Sequence, residues 1–366
     1  MSKLHELSDH GQAVWLDYIQ RSFTRDGSLQ ALIDSGVHGV TSNPSIFEKA
    51  IAGSSDYDDD IARLAREGAS AEEIYDALTH DDIRQAADLF RPLYEETRAQ
   101  DGYISMEVSP RLANDTEGTI AEARRLFAAL GRPNIMIKIP ATPAGIPAIT
   151  EVIASGVNVN VTLIFSLAQY EAAADAYLAG LEKRLAEGGN LSRIASVASF
   201  FVSRVDTAAD AALEASGTRD LQGRIAVDNA RLAYVRFREI VHTRHWEKLA
   251  KAGAQLQRPL WASTGTKNPA YTDTLYVDSL VGPHTVNTLP PATLDAFLDH
   301  GQTAPSLETD VAGARDRIRA LADRGIDFDA ILHRLLDEGV DAFAQAFENL
   351  MESIEEKRNA FRNGAV

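Results

Sequence analysis

The sequence predicts an α/β chain folded as a parallel (β/α)8 barrel (a TIM barrel) with helical insertions and a helical C-terminal extension. Three observations lead there. Eight short β-rich runs alternate with helical stretches along most of the chain, which is the order that builds a parallel sheet. Several of those runs are apolar at odd and even positions alike, as strands covered on both faces must be. The 366 residues exceed the roughly 250 typical of such a barrel, and no stretch rich in Pro, Gly or Ser divides them. The expectation is one domain over 1–366, with the barrel at about 13–300 and the extension at about 309–360.

The candidate strands, in order, are "AVWLDYI" (13–19), "GVHGVTSNP" (36–44), "YISMEVS" (103–109), "NIMIKIPA" (134–141), "VNVNVTLIFS" (157–166), "IASVASFFVS" (194–203), "RPLWAST" (258–264) and "TLYVDSLVG" (274–282). Helical stretches are expected at 84–100, 117–130, 145–155, 167–187 and 219–252. In "EGTIAEARRLFAALG" the apolar residues Ile120, Ala123, Leu126, Phe127 and Leu130 repeat at helical spacing before a terminating Gly131. The excess length falls in 45–100, in 205–255 and in the extension, where Leu332, Leu335, Leu336, Val340, Phe343, Phe347 and Leu350 form a stripe that packs on the barrel or at a subunit interface.

Composition removes several function classes. The formal net charge of −17 argues against nucleic acid or an anionic membrane as partner. With no cysteine there is no disulfide, thiolate nucleophile or Cys-ligated metal. The first residues, "MSKLHELSDHGQAVW", lack an apolar core of signal-peptide length, so a cytoplasmic protein is expected.

Within barrels the reactive groups stand at the C-terminal strand ends. The polar residues at or inside the candidate strands are Asp17, Asn43, Glu107, Lys138, Asn160, Thr162 and Ser199, with Arg204 and Lys267 following strands six and seven. Lys138 is the unusual one. In "NIMIKIPAT" the residues Ile135, Ile137 and Ile139 point one way from an extended chain, while Met136, Lys138 and Pro140 point the other. Enclosure among apolar neighbours disfavours a charged amine, and a neutral amine attacks carbonyl carbon to form a Schiff base. The bland alternative is a structural lysine paired with Glu107 or Asp17. Asp17 is either a general base or the cap of the following loop. Glu107 is an acid/base or the partner of Arg111. Thr162 holds a water or is simply a β-branched strand residue.

Taken together and in register, "GVTSNPSIFEKAI" (39–51), "ISMEVSPRLANDTEGTI" (104–120), "IMIKIPATPAGIPAI" (135–149), "VNVNVTLIFSLAQY" (157–170), "VASFFVSRVD" (197–206) and "LWASTGTKNPAYTDTLYV" (260–277) resemble the transaldolases, in their longer actinobacterial and cyanobacterial form. That resemblance implies a transferase of the non-oxidative pentose phosphate pathway with Lys138 as Schiff-base lysine. It implies Asp17 as the base at the C4 hydroxyl, and Glu107 and Thr162 as holders of a proton-shuttling water. Asn43, Asn160 and Ser199 would bind the dihydroxyacetone moiety, Phe201 would line the pocket, and Arg204 would grip the phosphate. Relatives often carry an arginine after strand seven where this chain has Lys267. A lysine offers phosphate a point charge in place of a planar fork. No metal or organic cofactor is implied, sugar phosphates are the expected partners, and the chain would be a monomer or homodimer. The rivals are a fructose-6-phosphate-type aldolase using the same lysine, and a sugar-phosphate-binding barrel without catalysis.

Two other patterns favour bland accounts. His242 and His245, three apart in "VHTRHWEK", fit a solvated helix face better than a zinc site. "SDYDDD" (55–60) lacks the glycine and glutamate of a calcium loop, and Asp56 is expected to cap a helix.

Overall fold

A computed structural model describes residues 2–362. Its eight strands close into one parallel barrel in chain order: β1 (Gln12–Leu16), β2 (Val37–Thr41), β3 (Tyr103–Glu107), β4 (Ile135–Pro140), β5 (Asn158–Ile164), β6 (Ser196–Phe201), β7 (Gln257–Ala262) and β8 (Thr285–Leu289). Strand β8 pairs back onto β1 through Gln12↔Thr285 to Leu16↔Leu289. Helices cover the outer face, so every residue of β4 and β5 is buried, whichever way its side chain points.

Two expectations about strands need correction. Residues 274–282 are not a strand: Leu275–Asp278 is a short helix, and the eighth strand begins at Thr285. The buried apolar side chains of that segment are Tyr276, Val277, Leu280 and Val281. They repeat at four, which is helical spacing. The true strand "TVNTL" is half polar and lies between Pro283 and Pro290, so its apolar signal is weak. Asp17 also lies one residue beyond β1 and not inside it. Its N–H still donates to Leu289 O at 2.8 Å, which fixes it at the C-terminal rim.

The insertions are helical as expected but more broken. The 45–100 region forms helices Pro44–Ala52, Asp58–Glu67 and Ala71–Glu96, and the stretch after 219 splits into Ile225–Ile240 and Arg244–Lys251. The break falls at Thr243, whose hydroxyl accepts from Trp246 N–H at 3.2 Å and so caps a new helix. Asp56 does not cap: Tyr57 occupies that position, and the Asp56 carboxylate accepts from Gln20 and from Ser22 N–H instead. His245 is paired with Glu182 at 3.0 Å on an exposed surface.

The barrel floor is packed tight. Trp15 and Tyr103 lie with ring centroids 6.4 Å apart. Gly39 sits between them because a Cβ there would come within 2.7 Å of the Trp15 ring.

The extension is helices Val311–Asp323 and Phe328–Arg362. Asp327 starts the second by accepting from Ala330 N–H at 2.9 Å. At 35 residues it is about 50 Å long and can cross the whole barrel. Leu332, Leu335, Phe343, Phe347 and Leu350 are buried beneath it, each contributing about 1.5–3 kcal/mol of transfer free energy against the entropy of ordering the chain. Leu336 and Val340 are half-buried at its edge. No described helix is long and apolar enough to cross a membrane.

Candidate active site

Parallel pairing sets the site's geometry. Glu107 of β3 stands opposite Lys138 of β4, and Lys138 opposite Asn160 of β5. Partners across a parallel ladder point to the same face, so these three project together into the barrel. Ser105 precedes Glu107 by two residues and Thr162 follows Asn160 by two, which puts both on that inner face as well.

A cavity of about 130 Å³ opens at the C-terminal mouth. Its walls include Asp17, Asn43, Lys138, Thr162, Ser199, Phe201, Arg204 and Lys267. Eight of the ten residues singled out from sequence therefore meet in one space. Glu107 and Asn160 flank Lys138 on the neighbouring strands but do not themselves line the cavity.

Lys138 is 5 % exposed, so its head group has left bulk water. Nζ donates to Ser42 O at 3.0 Å and lies 3.4 Å from Glu107 Oε2. The second distance is within ion-pair reach but lacks hydrogen-bond alignment, and Glu107 Oε2 has no hydrogen-bond partner in the protein. Burial pushes the Glu107 carboxyl above its ordinary value, and the Lys138 charge only partly offsets this. Thr162 Oγ1 is likewise buried without a protein partner. Both atoms are suited to hold a small polar molecule. Arg111, the alternative partner of Glu107, turns outward and pairs with Glu348.

Asp17 is half-buried on the opposite wall. Its Oδ1 accepts from Thr41 Oγ1 at 2.7 Å, and Thr41 is in turn 2.7 Å from Thr288 Oγ1. Burial raises the Asp17 carboxyl, with Lys138, Thr41, Lys267 and Lys49 acting to lower it. Across the floor of the cavity runs a polar chain: Ser199 Oγ donates to Asn160 Oδ1 at 2.6 Å, and Asn160 Nδ2 donates to Ser105 Oγ at 3.1 Å. Asn43 divides its amide between two tasks. Its Oδ1 caps the helix Pro44–Ala52 by accepting from Ile46 N–H at 3.0 Å, which leaves Nδ2 for the cavity.

Two cations guard the opening. The Arg204 guanidinium stacks over Phe201 at 5.6 Å and Phe343 at 5.8 Å, and no described carboxylate lies within salt-bridge distance of it. Burial lowers its basicity, with Glu338 opposing. A partly desolvated guanidinium without a protein anion is a ready phosphate grip. Lys267 is exposed at the rim. Beside Thr162, β5 breaks register between Val161 and Ile164, with Leu163 in the left-handed region at φ +56°. Such bulges re-aim side chains next to active sites.

Sequence reasoning missed Thr41, Ser42, Ser105 and Phe343. The first two lie inside "GVTSNP", and period two counted back from Glu107 reaches Ser105. Nothing local points from Phe343 to the mouth of the barrel.

The family described as transaldolase/fructose-6-phosphate aldolase matches residues 14–354. The chain is similar to transaldolase 2 of Nostoc punctiforme, 48% identical over 370 residues with 97% of each chain covered. It is 51% identical to the transaldolase of Thermobifida fusca over 358 residues, covering 96% of this chain and 97% of that one. With the transaldolase of Saccharopolyspora erythraea it shares 50% over 359 residues, 97% and 98% of the two chains. A buried lysine facing a carboxylate on a parallel barrel is thus joined to relatedness along nearly the whole length, and the chain belongs to the transaldolase/fructose-6-phosphate aldolase family.

Proposed function

We propose that the protein is a cytoplasmic transaldolase that moves a dihydroxyacetone unit between sugar phosphates through a Schiff base on Lys138. The donor would be sedoheptulose 7-phosphate or fructose 6-phosphate, and the acceptor glyceraldehyde 3-phosphate or erythrose 4-phosphate. The observation that carries this is the placement of Lys138: buried, inside a cavity, 3.4 Å from Glu107 and facing a second wall that holds Asp17.

The steps follow from those positions. Lys138 passes a proton to Glu107, whose raised affinity for protons suits it to accept one. The free amine adds to the ketose carbonyl. Glu107 and Thr162, with their unpaired oxygens, hold the water that carries protons as the carbinolamine loses hydroxide and becomes an iminium. Asp17 then takes the C4 hydroxyl proton. The C3–C4 bond breaks, its electron pair flows to the iminium nitrogen, and an aldose phosphate leaves. Asn43 and Ser199 hydrogen-bond the bound three-carbon unit, Asn160 orients Ser199, and Phe201 lines the pocket. Arg204 takes the phosphate with help from Lys267, which offsets the repulsion of a −17 chain for an anionic substrate. In the second half the enamine adds to a new aldose phosphate, and Asp17 returns its proton.

Borohydride trapping with fructose 6-phosphate tests this. A mass adduct is expected on the wild type and none on Lys138→Ala. Fructose 6-phosphate alone should release one equivalent of aldehyde and then stop. Continuous turnover would mark an aldolase, and binding without an adduct would mark a non-catalytic barrel.

A further inference from the structure

The cavity has a roof that the steps above leave unused. The C-terminal helix lays Phe343 into the mouth, 3 % exposed, with its ring centroid 6.0 Å from Lys138 Nζ and 5.8 Å from the Arg204 guanidinium. The ring therefore stands between the covalent end of the site and its phosphate end.

Its position is fixed from both sides. One turn earlier, Gly339 lets the helix backbone close on the barrel, since a Cβ there would lie 3.0 Å from Leu163 Cδ2 and 3.6 Å from Arg204 Nη1. One turn later, Phe347 packs edge-on against Tyr75 with centroids 5.4 Å apart. Beyond it Glu348 accepts two bonds from Arg111 at 2.7 and 2.8 Å. Near the helix end, Lys357 donates to Ile51 O, Ser54 O and the Asp58 carboxylate. The helix is strapped down along its length, which makes Phe343 a fixed wall of the site.

We propose that Phe343 is the residue that keeps water off the enamine, and so sets the division between transfer and release; this rests on the Schiff-base reading of Lys138. In transfer, the enamine carbon gives its electron pair to the acceptor carbonyl carbon, and the carbonyl oxygen takes a proton from Asp17. In release, that carbon takes a proton from water, and the iminium re-forms. The hydroxide left behind adds to the iminium carbon. The resulting carbinolamine moves its O–H proton to nitrogen and expels the Lys138 amine, so one water is consumed and dihydroxyacetone is freed. An apolar ring over the site excludes that water.

The test compares wild type, Phe343→Ala and Phe343→Leu, each given fructose 6-phosphate with and without erythrose 4-phosphate. Free dihydroxyacetone and the transfer product are measured, and borohydride trapping reports the adduct independently. Phe343→Ala is expected to raise the ratio of release to transfer by about tenfold or more, and Phe343→Leu by about threefold, with the adduct still trapped in each. An unchanged ratio in a variant that still traps ketose overturns the proposal. If Phe343→Ala fails to fold or to trap, Phe343→Leu, which keeps most of the volume, decides by the same ratio. A wild type that forms no adduct refutes the Schiff-base reading itself, a different failure, and takes this proposal with it.

Discussion

A carboxylate stands at each end of strand β3, Asp101 two residues before it and Glu107 as its last residue, and the two live differently. Below it, Asp101 accepts from Arg258 at 2.9 and 3.1 Å and from Trp15 Nε1 at 3.1 Å, with His38 3.5 Å away. Above it, Glu107 has Lys138 at 3.4 Å and an oxygen without a hydrogen-bond partner. Burial pushes both carboxyls up. At Asp101 the Arg258 and His38 interactions overcome it and hold the acid well below its usual range, whereas at Glu107 burial wins. Burial is common to both sites, so the opposing charge and hydrogen bonds, Arg258 with His38 at one end and Lys138 alone at the other, decide which way the acid shifts. A fully satisfied pair fixes the fold, while an under-satisfied one retains capacity to exchange protons.

The largest effect should come from the upper pair. Lys138→Ala should reduce kcat on the order of 10⁴-fold or more, because a missing nucleophile removes the covalent route; steady-state assay of fructose 6-phosphate with erythrose 4-phosphate measures it. Asp17→Asn should cost about 10²–10⁴ in kcat, as loss of a general base does, while borohydride still traps the ketose. Loss of trapping in that variant would place Asp17 in imine formation instead. Arg204→Ala should raise KM for phosphorylated sugars by about 10–100-fold with a smaller change in kcat, since charge-assisted bonds to phosphate are worth roughly 1.5–3 kcal/mol.

The lower pair should show in stability alone. Asp101→Asn leaves Arg258 without its anion and should destabilise by about 3–5 kcal/mol, read by denaturant unfolding, with kcat of the folded enzyme within about twofold of wild type. A matching loss of kcat would end the distinction between the two ends of the strand. The carboxyl shifts run in opposite senses, so acid should remove activity at a higher pH than it removes the Asp101 stabilisation. Asp101 has a folded pKa below its unfolded one, so its stabilisation is complete above the ordinary carboxylate range and is withdrawn as pH falls toward the folded value. Glu107 and Asp17 are both raised, so protons stay on them to higher pH than on ordinary carboxylates. The acid limb of kcat should therefore lie above the ordinary carboxylate range.

Much of this was legible in the chain itself. Runs such as "NIMIKIPA" carry their strand in continuous apolarity, because a sheet covered on both faces needs nothing polar on either. Period two placed Lys138 with Met136 and Pro140 on one face of its strand, and the observed register sets Glu107 and Asn160 beside it. The eighth strand was not legible, since three of the five residues of "TVNTL" are polar, two of them bonded to distant or loop groups, Thr285 to Gly282 O at 2.6 Å and Thr288 to Thr41 at 2.7 Å. Local apolarity therefore favoured the helical segment before it. Asp56 failed as a cap for a related reason: Gln20 and Ser22, distant in sequence, both donate to its Oδ2.

Sequence by itself determined the alternation of strand and helix, the inward set of reactive residues and the kinship with transaldolases, because periodicity and motif spacing are properties of neighbouring residues. Tertiary structure alone decided that Glu107 faces Lys138 with an oxygen to spare, that Ser42 lends Lys138 a carbonyl, and that a helix ending near residue 362 lays Phe343 over a lysine at 138. Those contacts join segments as far apart in the chain as residues 138 and 343. Only closure of the barrel and docking of the final helix bring them within reach, and burial then raises the Glu107 carboxyl.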